Sequence, residues 1–267
     1  MPLSNLEYIP LRLIRRFVLS DRLLLRFGKL FPYYRTNHNQ VDPSPLVDAY
    51  DSRLKSAGFE PRGTRILEIG VGRTNSTCYE IAARFDPSTT YALEPFVDFG
   101  ATDDDRLLEL VSKRNHQAKE AIANRVKRVR DLTSIPSGSV DLVLSSSVLE
   151  HVSDPDSLFK ELHRVLSANG SMLHLVDYRD HFFKYPYHFL QFNKTTWNRW
   201  LNPGDLPVWR VYDHIEQISA AGFKVRVLDE TRDDRAFGLV AERISKDYRR
   251  DDSRLLTMVA SLFATKT

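Results

Sequence analysis

From Thr64 onward, short apolar runs rich in β-formers alternate with longer stretches whose apolar residues recur at helical spacing. The strand-like runs are Arg65–Gly70, Thr90–Glu94, Val126–Arg130, Val140–Ser145 and Ser171–Asp177. A sixth is expected at Lys224–Asp229, after a helix Asp213–Ala221 that Gly222 ends, and a seventh at Met258–Lys266. Strands separated by helix-length segments predict a parallel sheet with helices on both faces. Upstream, Thr36–Pro45 is rich in turn residues and reads as a linker, followed by a helix from about Pro45 to Ala57.

The first forty residues follow a different pattern. Leu11–Gly28 is helical in period, amphipathic and basic, and Met1–Phe31 holds six Lys or Arg against two acids. Two readings fit: a peripheral membrane-surface or partner-binding helix, and a helix that packs over the core and helps cover an active site. The second is favoured, because a basic stripe is usually a solvated face. The expected layout is a helical extension over 1–45 and a single larger domain over 46–267, with an aromatic cap insertion at about 178–212.

Composition narrows this only a little. With 267 residues, 42% hydrophobic and 27% charged, the chain can bury the core of one large domain. A net charge of +3 calls for no polyanionic partner, so nucleic acid is not expected. The lone Cys78 excludes an intrachain disulfide and suits a cytoplasmic protein. Arginines interrupt every long apolar stretch, so neither a membrane span nor a secretory signal is expected.

The chemistry concentrates where the first strand ends. Arg65-Ile-Leu-Glu-Ile-Gly-Val-Gly-Arg-Thr-Asn is an apolar strand, then Gly70 and Gly72 at alternate positions, then a helix start. Glycines there let the backbone turn tightly and approach a ligand closely. Glu94 closes the next strand, where a carboxylate can accept from both hydroxyls of a ribose. Together these features point to a nucleoside cofactor. No third glycine follows in the loop, which continues with Thr74, and that lack counts against a nicotinamide enzyme.

Glu68-Ile-Gly70-Val-Gly72, then Glu94, then Asp131-Leu132, then Asp141-Leu-Val-Leu-Ser-Ser-Ser-Val-Leu-Glu150-His151-Val resemble the successive motifs of class I S-adenosylmethionine-dependent methyltransferases. The likeness is strongest to the small-molecule group that includes quinone-biosynthesis methyltransferases, and it covers roughly Thr64 to Asp177. It implies a Rossmann-like, doubly wound, seven-stranded α/β sheet, mostly parallel with the last strand antiparallel. It also implies S-adenosyl-L-methionine as cofactor. On that resemblance, Glu68 lies near the methionine amino group and Gly70 and Gly72 turn beneath the cofactor. Glu94 holds the ribose, Pro95 and Phe96 border the adenine, and Asp131 accepts from the adenine amino group beside Leu132. Ser145 and Ser146 sit by the methionine portion.

Methyl transfer to a hydroxyl needs a general base, whereas a neutral amine needs little help. The candidates are His181, His151 and Asp180, all beyond the carboxyl ends of predicted strands, where such sheets bind ligands. The aromatic run from Tyr178 to Tyr212, with interspersed cations, suits a ring-bearing or sugar-like small-molecule acceptor, or simply a small core of its own. No metal is expected, since Asp177 and Asp180 lack an obvious third ligand. The alternatives are a non-catalytic methyltransferase-like binding module and a nicotinamide-dependent oxidoreductase. A homodimer through the N-terminal region is left open.

Overall fold

A computed structural model describes residues 5–18, 42–180, 186–202, 206–250 and 253–267. The expected alternation resolves into seven strands: β1 (Arg65–Ile69), β2 (Thr89–Leu93), β3 (Val126–Val129), β4 (Val140–Ser146), β5 (Leu166–Asp177), β6 (Phe223–Thr231) and β7 (Val259–Lys266). They form one sheet in the order β3-β2-β1-β4-β5-β7-β6. Neighbours from β3 through β5 pair in parallel, and β7 runs antiparallel to both β5 and β6. The order reverses between β1 and β4, and ligands of open α/β sheets bind at such a switch point.

Helices cover both faces because the central strands are apolar on both. On one face α2 (Ser44–Ala57) and α3 (Ser76–Phe85) bury Val47, Tyr50, Leu54, Ile81 and Phe85 against Ile66, Leu142, Leu144 and Leu173. Beyond them α4 (Ala101–Asn115) and α5 (Lys119–Ala123) pack on α3. On the other face α6 (Pro155–Val165) and α7 (Val211–Ala220) bury Phe159, Leu162, Val211 and Ile218 against Leu67, Val143 and Leu262.

A second, smaller core lies apart from the sheet. It joins Tyr8 to Tyr187, Phe189, Trp197 and Tyr212, and to Val240, Ile244, Tyr248 and Leu255. Tyr8 belongs to the N-terminal helix, Asn5–Phe17, labelled α1 here, which packs against the π-type turn Trp197–Leu201. The cap is therefore assembled from three separate stretches of chain, the insertion expected at about 178–212 being one and the N-terminal helix another. The third is the long link between β6 and β7, which holds α8 (Asp234–Gly238) and several single turns. Of the basic helical pattern at Leu11–Gly28, the part after Val18 lies outside the described residues.

Candidate active site

The backbone geometry at the end of β1 requires its glycines. Gly70 and Gly72 sit at φ +79° and +69°, which disfavours any side chain. A Cβ on Gly70 would also come within 2.5 Å of Val148 Cγ2, so the β4–α6 connection lies directly on the loop. A Cβ on Gly72 would meet nothing within 4 Å, which leaves room above that residue for a ligand.

Glu94 ties the β1 and β2 loops together. Its carboxylate accepts from the backbone N–H of Gly72 (2.9 Å), Phe96 (3.0 Å) and Val97 (3.1 Å). A carboxylate offers about four acceptor positions, so three hold the loops and one on Oε2 is left for a ribose hydroxyl. Arg128 on β3 supports the same turn, donating to the Gly72 carbonyl (2.6 Å) and to Asn75 Oδ1 (2.9 Å). Pro95 is exposed, and the Phe96 ring beside it is 89% exposed, an apolar plate with no cover from the protein. Open space over Gly72, an acid at the strand tip and a bare ring beside it fit a nucleoside.

Glu68 is buried beneath the loop. Cys78 Sγ donates to its Oε2 at 3.2 Å, and the Tyr50 hydroxyl lies against the same carboxyl. Burial pushes Glu68 up to about 8, so it stays largely protonated at neutral pH. Asp131 is exposed and caps the turn Leu132–Ser134 by accepting from Ser134 N at 3.0 Å. These bonds hold its carboxyl below the usual range, and Leu132 beside it is half-buried. Ser145 is fully buried with its hydroxyl bonded to His174 Nδ1 at 2.7 Å, so at the strand tip it can offer a ligand only backbone. Ser146, on the opposite side of the strand, is half-buried.

One strand further along, a cavity of about 40 Å³ opens at the ends of β4 and β5. Glu150, Asp177, Tyr178 and Asp180 line it from the sheet, Trp197 and Trp209 from the cap, and Arg12 from α1. Arg179 holds both oxygens of Asp177, at 2.9 and 2.6 Å. Arg12 forms a buried ion pair with Asp180, and the Tyr8 hydroxyl donates to the same carboxylate. Of the expected bases, Asp180 thus anchors α1, His151 is exposed on the turn Leu149–His151, and His181 lies outside the described residues. Sequence reading gave no role to Glu150. It is 3% exposed, burial pushes it up to about 8, and among the described residues only Oε1 accepts a bond, from Asp177 N at 3.2 Å. The available signal was a lone acid within the apolar run Val148-Leu149-Glu150-His151-Val152.

Sheet order, reversed last strand and a glycine turn at the switch point define the seven-stranded methyltransferase fold. Residues 67–174 match the family model described as a methyltransferase domain. That segment carries the sequence pattern of a methyltransferase domain.

Over 117 residues the chain is 27% identical to the ubiquinone biosynthesis O-methyltransferase of Xanthomonas axonopodis pv. citri (strain 306). The corresponding protein of Xanthomonas oryzae pv. oryzae (strain PXO99A) is 26% identical over the same length. These matches cover 44% of this chain and 44% of each relative, so less than half the relatives' length is spanned. Among solved structures, phosphoethanolamine N-methyltransferase 2 of Haemonchus contortus, with phosphomonomethylethanolamine and S-adenosylhomocysteine, superposes with a TM-score of 0.53 at 18% identity. It covers 96% of this chain and 59% of that one. The same enzyme with S-adenosyl-L-methionine gives 0.53 and 18%, covering 95% and 59%. At such identity the likeness concerns the fold.

Proposed function

We propose that this protein transfers the methyl group of S-adenosyl-L-methionine to a hydroxyl or amine of a small molecule held beneath the helical cap. The observation that carries this reading is a shared wall. Val148 lies on Gly70 of the cofactor loop, and two residues later Glu150 lines the cavity. A methyl donor over the glycines and an acceptor in the cavity are then neighbours across one strand spacing, about 4.8 Å. The cofactor supplies an already activated methyl group. What remains for the protein is alignment and exclusion of water, and alignment alone can contribute several kcal/mol. The lack of a third glycine after Gly72 supports this reading over a nicotinamide enzyme.

Calorimetry with S-adenosylmethionine, S-adenosylhomocysteine and NADH tests the cofactor directly. Both sulfur ligands should bind with Kd on the order of micromolar, about −8 kcal/mol, while NADH gives no heat. Glu94→Ala, which loosens both loops, should weaken binding at least tenfold. A folded protein that binds neither sulfur ligand overturns the reading.

A further inference from the structure

We infer that Glu150 is the proton acceptor of the reaction, taking the proton from an O–H or N–H group that the acceptor presents to Oε2 in the cavity beneath α1. This rests on the methyl-transfer reading above and goes beyond it by assigning the base and the chemical class of acceptor.

Among the described residues Glu150 Oε2 is a buried carboxylate oxygen with no hydrogen-bond partner. Such an atom is costly, and native proteins keep one where a ligand will complete it. The other acids of the cavity are already engaged: Asp177 with Arg179, and Asp180 with Arg12 and Tyr8. Trp209 Nε1 donates to the Val152 carbonyl at 2.8 Å, so the cap itself grips the turn that carries Glu150. The cavity has room for about three waters, which suits the reactive end of a ligand between the rings of Trp197 and Trp209.

The base strength narrows the acceptor. Burial raises Glu150 to about 8, with the neighbouring Asp177 adding to the shift, so the form that accepts a proton fills in as pH rises toward 8. The other ionisable groups around it are Tyr178, Arg179 and Asp180 past β5, His214 on α7, and Arg12 on α1. A base of that strength matches a phenol-like hydroxyl or an ammonium, both near 10 in model compounds, and is far too weak for an aliphatic alcohol. In the balanced step the acceptor's proton moves first to ionised Glu150 Oε2, which frees the electron pair that an ammonium lacks. That pair forms the bond to the methyl carbon while the carbon–sulfur bond breaks with its electrons left on sulfur. Glu150 then releases the proton to solvent.

The test uses 4-nitrophenol, whose phenol and phenolate absorb at different wavelengths, added to the full chain saturated with S-adenosylhomocysteine. Between pH 8 and 10 the probe is phenolate and Glu150 is ionised, so binding must return a proton to Oε2 and the probe's Kd in wild type should rise roughly tenfold per pH unit. In Glu150→Gln the Kd should stay flat, and Glu150→Asp should restore part of the slope. Methyl transfer to the probe should fall at least about hundredfold in Glu150→Gln, with unchanged affinity for S-adenosylhomocysteine. An equal pH slope in wild type and Glu150→Gln overturns the assignment, as does failure of millimolar probe to bind wild type. Failure of wild type to bind S-adenosylhomocysteine overturns the methyl-transfer reading instead.

Discussion

Gly70 is constrained twice, by a positive φ and by Val148 filling the space a Cβ would need, and the two constraints can be separated. Gly70→Ala should lose about 2–4 kcal/mol, part from the left-handed backbone and part from overlap with Val148. Adding Val148→Ala should recover only the overlap. Urea midpoints of the three variants check this, and full recovery in the double variant would show that backbone strain contributes nothing. Gly70, Gly72 and Glu94 were legible in the sequence because strand, turn and strand tip are local features. Glu150 was not, because its role depends on α1 and the cap, which reach it from distant parts of the chain.

At the scale of elements, Arg210 holds the cap to the sheet. The side chain is fully buried at the start of α7, and its guanidinium donates to the carbonyls of Tyr178, Leu255 and Thr257. It thereby fastens the end of β5 to the link before β7. Arg210→Met would leave three carbonyls without donors, a loss of about 3–5 kcal/mol. Tm should fall by roughly 10 °C, and limited proteolysis should cut the 232–258 link first. An unchanged Tm would show that these bonds are dispensable. The strands themselves were read to within a few residues. The main exception is β5, expected from Ser171 but beginning at Leu166, because Asn169-Gly170 looks like a turn while Leu166 already pairs with Val140 ahead of a register shift. The segment after β6 was harder to read, since its short turns carry no sustained period.

Over the whole molecule, four buried groups set how stability depends on pH. Glu68 and Glu150 are raised from 4.5 to about 8 by burial. Between those values the folded state holds protons that the unfolded state releases, so stability falls as pH rises. His174 and His214 are lowered by burial from 6.5 to about 3 and about 4. In that interval the unfolded state binds protons that the folded state does not, so their contribution is lost as pH falls. The two pairs offset each other between 4.5 and 6.5, giving a plateau with a decline above it. Urea midpoints at pH 5.5 and 9 should show wild type weaker at the higher pH. The variant with Glu68→Gln and Glu150→Gln together should lose most of that difference, and an unchanged difference would sink the account.

The order in which the chain is made bears on the three-part cap. Tyr8 meets Asp180 across 172 residues of sequence, and the small core it belongs to runs on to Leu255. During synthesis α1 therefore emerges long before anything that can cover its apolar side. The sheet must be nearly complete before the cap can close. A ribosome paused anywhere before Asp180 would display a helix with an unburied tyrosine and arginine, a surface suited to chaperone capture.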